Sequence, residues 1–169
     1  MITFILIKIQ SIKSRHVKNF KNKSYIIPKC NEKMLINEAK LFCYWYVKKK
    51  IPKSKRNKFM KKFNMIVKKL TLKLKLKNNV FVHKDFHISN LMVINERIGV
   101  IDSQDALIGN KAYDLASLID DVRFETSKTT KDKIYRYYLK SQKNLNKFKF
   151  KNDFEILSIL RNLKIIGIF

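Results

Sequence analysis

Residues 80–123, VFVHKDFHISNLMVINERIGVIDSQDALIGNKAYDLASLIDDVR, decide how this chain is read. The chain carries 38 Lys and Arg against 13 Asp and Glu, yet this window gathers Asp85, Asp102, Asp105, Asp114, Asp120 and Asp121. It also holds two of the three histidines and two of the three glycines. Acidic and amide side chains at fixed spacing inside a basic chain point to a site. Residues 80–82 and 91–94 are short runs of β-branched and other apolar residues. Asn95-Glu96-Arg97 is a polar break, and 98–101 is a third run. Such runs read as strands, the last two folding back on each other as a hairpin that turns near Glu96. That fold-back sets Asn90 opposite Asp102, and facing Cβ atoms in paired strands lie about 4.5–5.5 Å apart. An amide oxygen and a carboxylate so placed suit Mg²⁺, which usually takes one or two protein carboxylates and completes its shell with water and phosphate. Asp85 precedes Asn90 in the loop leading into the hairpin. There a carboxylate can orient a substrate hydroxyl and accept its proton.

The spacing Asp85-x-x-x-x-Asn90, followed by Asp102 at the end of a hairpin, is the arrangement of protein kinases. His83-Lys84-Asp85-Phe86-His87-Ile88-Ser89-Asn90 resembles the H-x-D-x-H-x-x-N loop of aminoglycoside phosphotransferase-like kinases, which include choline and homoserine kinases. Ile101-Asp102 resembles their metal-binding strand end, and Gly109 with Asp114-Leu115-Ala116 resembles their later G-x-x-x-x-D-L-A segment. The run 101–106, with Gly109 and 112–115, is most similar to bacterial anomeric N-acetylmuramate/N-acetylglucosamine kinases of cell-wall recycling, as is the segment 37–42 through Trp45-Tyr46. In that subfamily an aromatic commonly follows the metal-binding Asp; this chain has Ser103 there and keeps the ligands.

The resemblance implies ATP and Mg²⁺ as cofactors and phosphorylation of a sugar hydroxyl, the anomeric hydroxyl of an N-acetylated amino sugar. Asp85 would be the catalytic base, Asn90 and Asp102 the Mg²⁺ ligands, and His83 a brace for the loop. Asp114 has two readings: an N-cap for a helix over 115–122, the favoured one, and a further brace. Glu38, Asp105 and Asp121 are substrate-contact candidates, and His87 is either a site residue or a histidine without chemistry. Asp120 reads as solvated, and Trp45 and Tyr46 read as core. A zinc site built on the two histidines lacks further His or Cys at ligand spacing. The alternative functions are a related small-molecule kinase acting on choline, homoserine or an aminoglycoside, and a non-catalytic basic nucleic-acid-binding protein.

At 169 residues and 46% hydrophobic the chain is at most one domain, with enough apolar material for a core. A formal charge of +25 ordinarily suggests nucleic acid or an anionic membrane. Here the excess Lys travels with abundant Ile and Asn along the whole chain, as codon bias in an AT-rich genome produces. No recognised nucleic-acid motif accompanies it. Residues 1–10, MITFILIKIQ, are too few to span a membrane and lack the marks of a signal peptide, so they are expected to pack on the domain as helix or strand. Cys30 and Cys43 fit a reducing cytoplasm.

Around the window the chain reads as helices: 32–48, broken by Pro52, then 54–77, 131–142 and 153–166, with 11–31 a loop. The first glycine is Gly99, so no glycine-rich phosphate loop precedes the window, and no strand lysine–helix glutamate pair is evident. The expected fold is therefore α+β, a protein-kinase-like C-terminal lobe, mostly helical around a small catalytic β-hairpin. It is a single partial domain over 1–169 with its catalytic core at 80–123. By resemblance the smaller lobe is missing, and three explanations stand: a fragmentary gene model, a split protein with the lobe on another chain, or a degenerate kinase. The fragment, with the lobe encoded upstream, is the expectation.

Overall fold

The computed structural model describes residues 2–18 and 21–169. Met1, at the head of the apolar N-terminal run, and Asn19 and Phe20, in the stretch expected to be a loop, lie outside the described residues. The N-terminal run is helix α1 (Ile2–Gln10), with Leu6 fully buried. Gln10 fixes its end: Nε2 donates to the Lys111 carbonyl (2.9 Å), and Oε1 accepts from the Tyr138 hydroxyl (2.5 Å). The expected loop contains a small antiparallel hairpin, β1 (His16–Lys18) with β2 (Ser24–Ile26). Every residue of both strands is exposed, so no alternation of burial marks them in the sequence.

Helix α2 (Glu32–Leu41) starts at Asn31, whose side chain accepts from the Met34 amide (2.9 Å) and satisfies one of the orphan donors of a helix start. It widens into a π-helical turn, Phe42–Val47, and resumes as α3 (Lys48–Lys50). The extra residue per turn shifts the inward face to Cys43 and Val47. Trp45 and Tyr46, expected in the core, are 57% and 42% exposed for this reason. Pro52 caps α4 (Lys53–Thr71). The expected continuation of this helix to residue 77 does not occur. The amides of Lys75 and Leu76 donate instead to the buried Asp153 carboxylate (both 2.8 Å), which pulls the chain out of helical geometry.

The window then supplies β3 (Asn78–Val82), a single 3₁₀ turn (Ile88–Asn90), β4 (Leu91–Ile94), β5 (Arg97–Val100) and β6 (Leu107–Asn110). β4 and β5 form the expected hairpin, with Ile94 facing Arg97. Asn95 and Glu96 take φ of 46° and 61°, the two left-handed residues of a type I′ turn. Because the turn has two residues rather than three, Asn90 faces Ile101, whose amide donates to its carbonyl (3.1 Å), and not Asp102. The expected register was one residue out. β6 was not foreseen: it is buried at every position and pairs with β3, while Lys29 bridges its other edge.

Helix α5 (Tyr113–Ile119) is wholly buried and begins at Ala112, two residues earlier than expected. Then follow α6 (Lys128–Lys140), capped by Ser127, and α7 (Lys147–Ile168), capped by Asn146. α7 packs on α2, on the π turn and on α5. Its Ile156, Leu157 and Leu160 join Val82, Phe86 and Leu115 in one core. The described residues thus form helices around three two-stranded sheets. Among them no helix is long and apolar enough to cross a membrane.

Candidate active site

β3 delivers the chain into a loop that the first turn of α5 holds by its backbone. The His83 and Lys84 amides donate to the two oxygens of Asp114 (2.8 and 2.9 Å). Asp114 is fully buried, and burial pushes its carboxyl up to about 7 against the pull of those two amides. It is not an N-cap: it stands inside α5, and its carboxylate braces the loop amides instead. Lys84 has φ 78°, a conformation unfavourable for a residue with a side chain, and the bonds that its own amide and that of His83 make to Asp114 help hold it there. His83 is buried beside Phe86, and its Nε2 lies 3.0 Å from the Ile101 carbonyl. A carbonyl only accepts, so Nε2 carries the proton. This bond ties the loop to the residue preceding Asp102.

Asp85 and Asp102 both open on one cleft of about 220 Å³. Asp102 is exposed at φ 67°, and its Oδ1 accepts from the Gln104 amide. Asn90 is nearly buried behind the loop, with Nδ2 donating to the Asp85 carbonyl (2.9 Å). Since that carbonyl only accepts, the NH₂ must face it, which leaves Asn90 Oδ1 available as an oxygen ligand. Among the described residues no three His, Cys, Asp or Glu side chains gather into a metal site. An amide oxygen and a carboxylate on adjoining segments are donor types that Mg²⁺ takes, with water and phosphate completing its shell, although Asn90 does not line the cleft on which Asp102 opens.

The opposite wall of the cleft is basic and comes from Arg123, Arg161 and Lys164. Lys164 Nζ lies 3.8 Å from Asp85 Oδ1. Asp121 is buried, yet its carboxyl is held down at about 2, because the bonds from Arg123 and the nearby Arg161 charge outweigh the effect of burial. Arg123 engages both its oxygens, Nε to Oδ1 (2.9 Å) and Nη2 to Oδ2 (2.6 Å), and Arg161 Nη2 reaches Oδ2 at 3.3 Å. Glu38 has both oxygens engaged as well, by Lys84 Nζ (2.8 Å) and the Tyr113 hydroxyl (3.3 Å). Asp105 is exposed on the loop after β5. Asp120, expected to be solvated, accepts from Lys131 (2.9 Å) and Ser158 where α5 meets α6 and α7. His87 lines the cleft, its pKa lowered by burial and then by Arg123 and Arg161.

Arg161, on the helix expected over 153–166, meets Asp121. Arg123 and Lys164 were not anticipated. A lysine in so basic a chain carries no signal of its own, and only the passage of α7 beside the loop brings Lys164 to Asp85.

A braced loop carrying one carboxylate and a hairpin end carrying a second, both opening on one cleft, suit phosphoryl transfer. Residues 43–148 match the phosphotransferase enzyme family, over more than half of the chain, and the chain belongs to that family. The particular relatives are N-acetylmuramate/N-acetylglucosamine kinases. That of Neisseria meningitidis is 33% identical over 150 residues, 85% of this chain and 45% of the relative. The Caulobacter vibrioides kinase is 33% identical over 95 residues, 53% of this chain and 26% of the relative. The Pseudomonas aeruginosa kinase is 28% identical over 152 residues, 85% of this chain and 44% of the relative. The chain spans less than half the length of these relatives.

Proposed function

We propose that this chain is the C-terminal lobe of an ATP- and Mg²⁺-dependent kinase that phosphorylates a sugar hydroxyl, the anomeric hydroxyl of an N-acetylated amino sugar in cell-wall recycling. The observation that carries the reading is the placing of Asp85 and Asp102 in one cleft, on a loop and a strand end tied together through His83. Asp85 accepts the proton of the attacking hydroxyl and orients its oxygen. Asn90 Oδ1 and Asp102 would hold Mg²⁺, which supplies positive charge against the transferred phosphoryl group. Asp114 and His83 fix the loop, so that the carboxylate is in place before substrate arrives. The lobe that covers the nucleotide would come from an upstream segment or a separate chain. The buried, free Cys30 and Cys43 suit a cytoplasmic enzyme.

Calorimetric titration of the chain with ATP, with and without Mg²⁺, tests the half-site. Mg²⁺-dependent binding is expected, lost in Asp102→Ala and retained in Asp85→Asn. Binding indifferent to both Mg²⁺ and Asp102→Ala overturns the assignment. ADP release compared across amino sugars, choline, homoserine and an aminoglycoside then fixes the acceptor class, and Asp85→Asn is expected to abolish that turnover.

A further inference from the structure

The basic wall of the cleft has no part in the chemistry assigned to Asp85, Asn90 and Asp102, and it is incompletely neutralised. Asp121 and Arg123 satisfy each other: Arg123 makes two side-chain bonds and a main-chain bond to that carboxylate. Arg161 is left with one long contact to the same carboxylate, at 3.3 Å. Its side chain is only 3% exposed. Its Nε and Nη1 are buried with no hydrogen-bond partner among the described residues. A guanidinium with two idle nitrogens in the wall of a cleft is costly unless something supplies acceptors, since buried unsatisfied donors are rare. The forked geometry of Arg suits a carboxylate. Lys164, one helical turn along α7, adds a second cation, and its 3.8 Å spacing from Asp85 is too long for a hydrogen bond that would hold it in place.

We infer that Arg161, with Lys164 beside it, forms an anion subsite that receives a carboxylate on the acceptor sugar while the acceptor hydroxyl lies at Asp85. The subsite would make the site prefer an acidic amino sugar such as N-acetylmuramate over its neutral counterpart N-acetylglucosamine. This rests on the amino-sugar reading above. The two walls separate the roles: the carboxylates of the loop and hairpin face the reacting hydroxyl and metal, and the cations of α7 face the far end of the acceptor. The transferred phosphoryl group is the other anion that could reach Arg161, and the test distinguishes the two.

Binding of N-acetylmuramate, its methyl ester and N-acetylglucosamine to the chain in the presence of Mg-ADP is measured by ligand-observed NMR. The acid is expected to bind about ten- to a hundredfold more tightly than the ester or the neutral sugar, the worth of a hydrogen bond to a charged group. Arg161→Gln should erase that preference, leave N-acetylglucosamine within about twofold of its original affinity and leave Mg-ATP binding unchanged. Lys164→Gln should reduce the preference by a smaller factor. Equal binding of acid and ester by the unmodified chain overturns the subsite and spares the amino-sugar reading, and this comparison needs no variant to fold. A loss of Mg-ATP affinity in Arg161→Gln with the acid preference intact assigns the arginine to phosphate and overturns it too. Failure of every amino sugar to bind overturns both readings.

Discussion

Asp114 and Asp121 sit close together in the sequence and are driven in opposite directions. Burial raises Asp114 to about 7, whereas two arginines hold Asp121 at about 2. For Asp121 the folded value lies below the ordinary 3.8, so the folded state loses stability as pH falls from about 4 toward 2, worth about 2 kcal/mol. Urea unfolding across that range should show this acid limb in the unmodified chain and a flatter one in Asp121→Asn; identical slopes would count against the ion pair. For Asp114 the folded value lies above the ordinary one, so its contribution is present below about pH 4 and lost as pH rises toward 7. That Asp85 and Asp102 share a cleft was legible, because residue type and spacing single them out, whereas Asn90 does not line it. Of the two readings of Asp114, the brace matches its bonds to the loop and the favoured cap does not, because the cap depends on where α5 starts. A two-residue shift in that start turns a cap into a clamp on the neighbouring loop.

Short apolar runs around a polar break were enough to find the β4–β5 hairpin, and its turn explains the one-residue error in register. Glu96 takes a left-handed conformation that glycine adopts without strain. Glu96→Gly should therefore raise stability by about 0.5–1 kcal/mol in chemical denaturation, with loss of stability the contrary result. β6 was illegible because burial on every side removes the alternation that betrays a strand. The π turn left no mark in the sequence, and α7 crosses its start closely: a Cβ at Gly167 would stand 2.4 Å from Leu41 C and Phe42 N. Gly167→Ala must push α7 away from α2 and should cost about 1–3 kcal/mol. Gly99→Ala is the control, its nearest neighbour being the Met92 carbonyl at 3.9 Å. Similar losses from both variants would show that the close crossing is not what matters.

At the scale of the molecule, the +25 charge and the hydrophobic core pull against each other. Like charges distributed over the surface repel at low ionic strength, where the Debye length is about 30 Å at 0.01 M and about 8 Å at 0.15 M. Raising NaCl across that interval should raise Tm by about 2–4 °C, and a flat or falling Tm would mean that the lysines are already neutralised within the fold. The same surface makes the nucleic-acid alternative testable: binding of that kind weakens steeply with salt and ignores Asp102→Ala. That the chain has apolar material enough for a core was readable at this scale from length and composition. The basic wall of the cleft was not, since a few cations placed by tertiary packing are invisible against so many.

Asp114 grips main-chain amides, and every residue except proline has one to offer. The bond at position 84 is therefore indifferent to which side chain stands there. A laboratory recombining loops between distant relatives could exchange residue 84 and still find the Asp85 carboxylate where the parent kept it, provided His83, Phe86 and the helix that carries Asp114 came along unaltered.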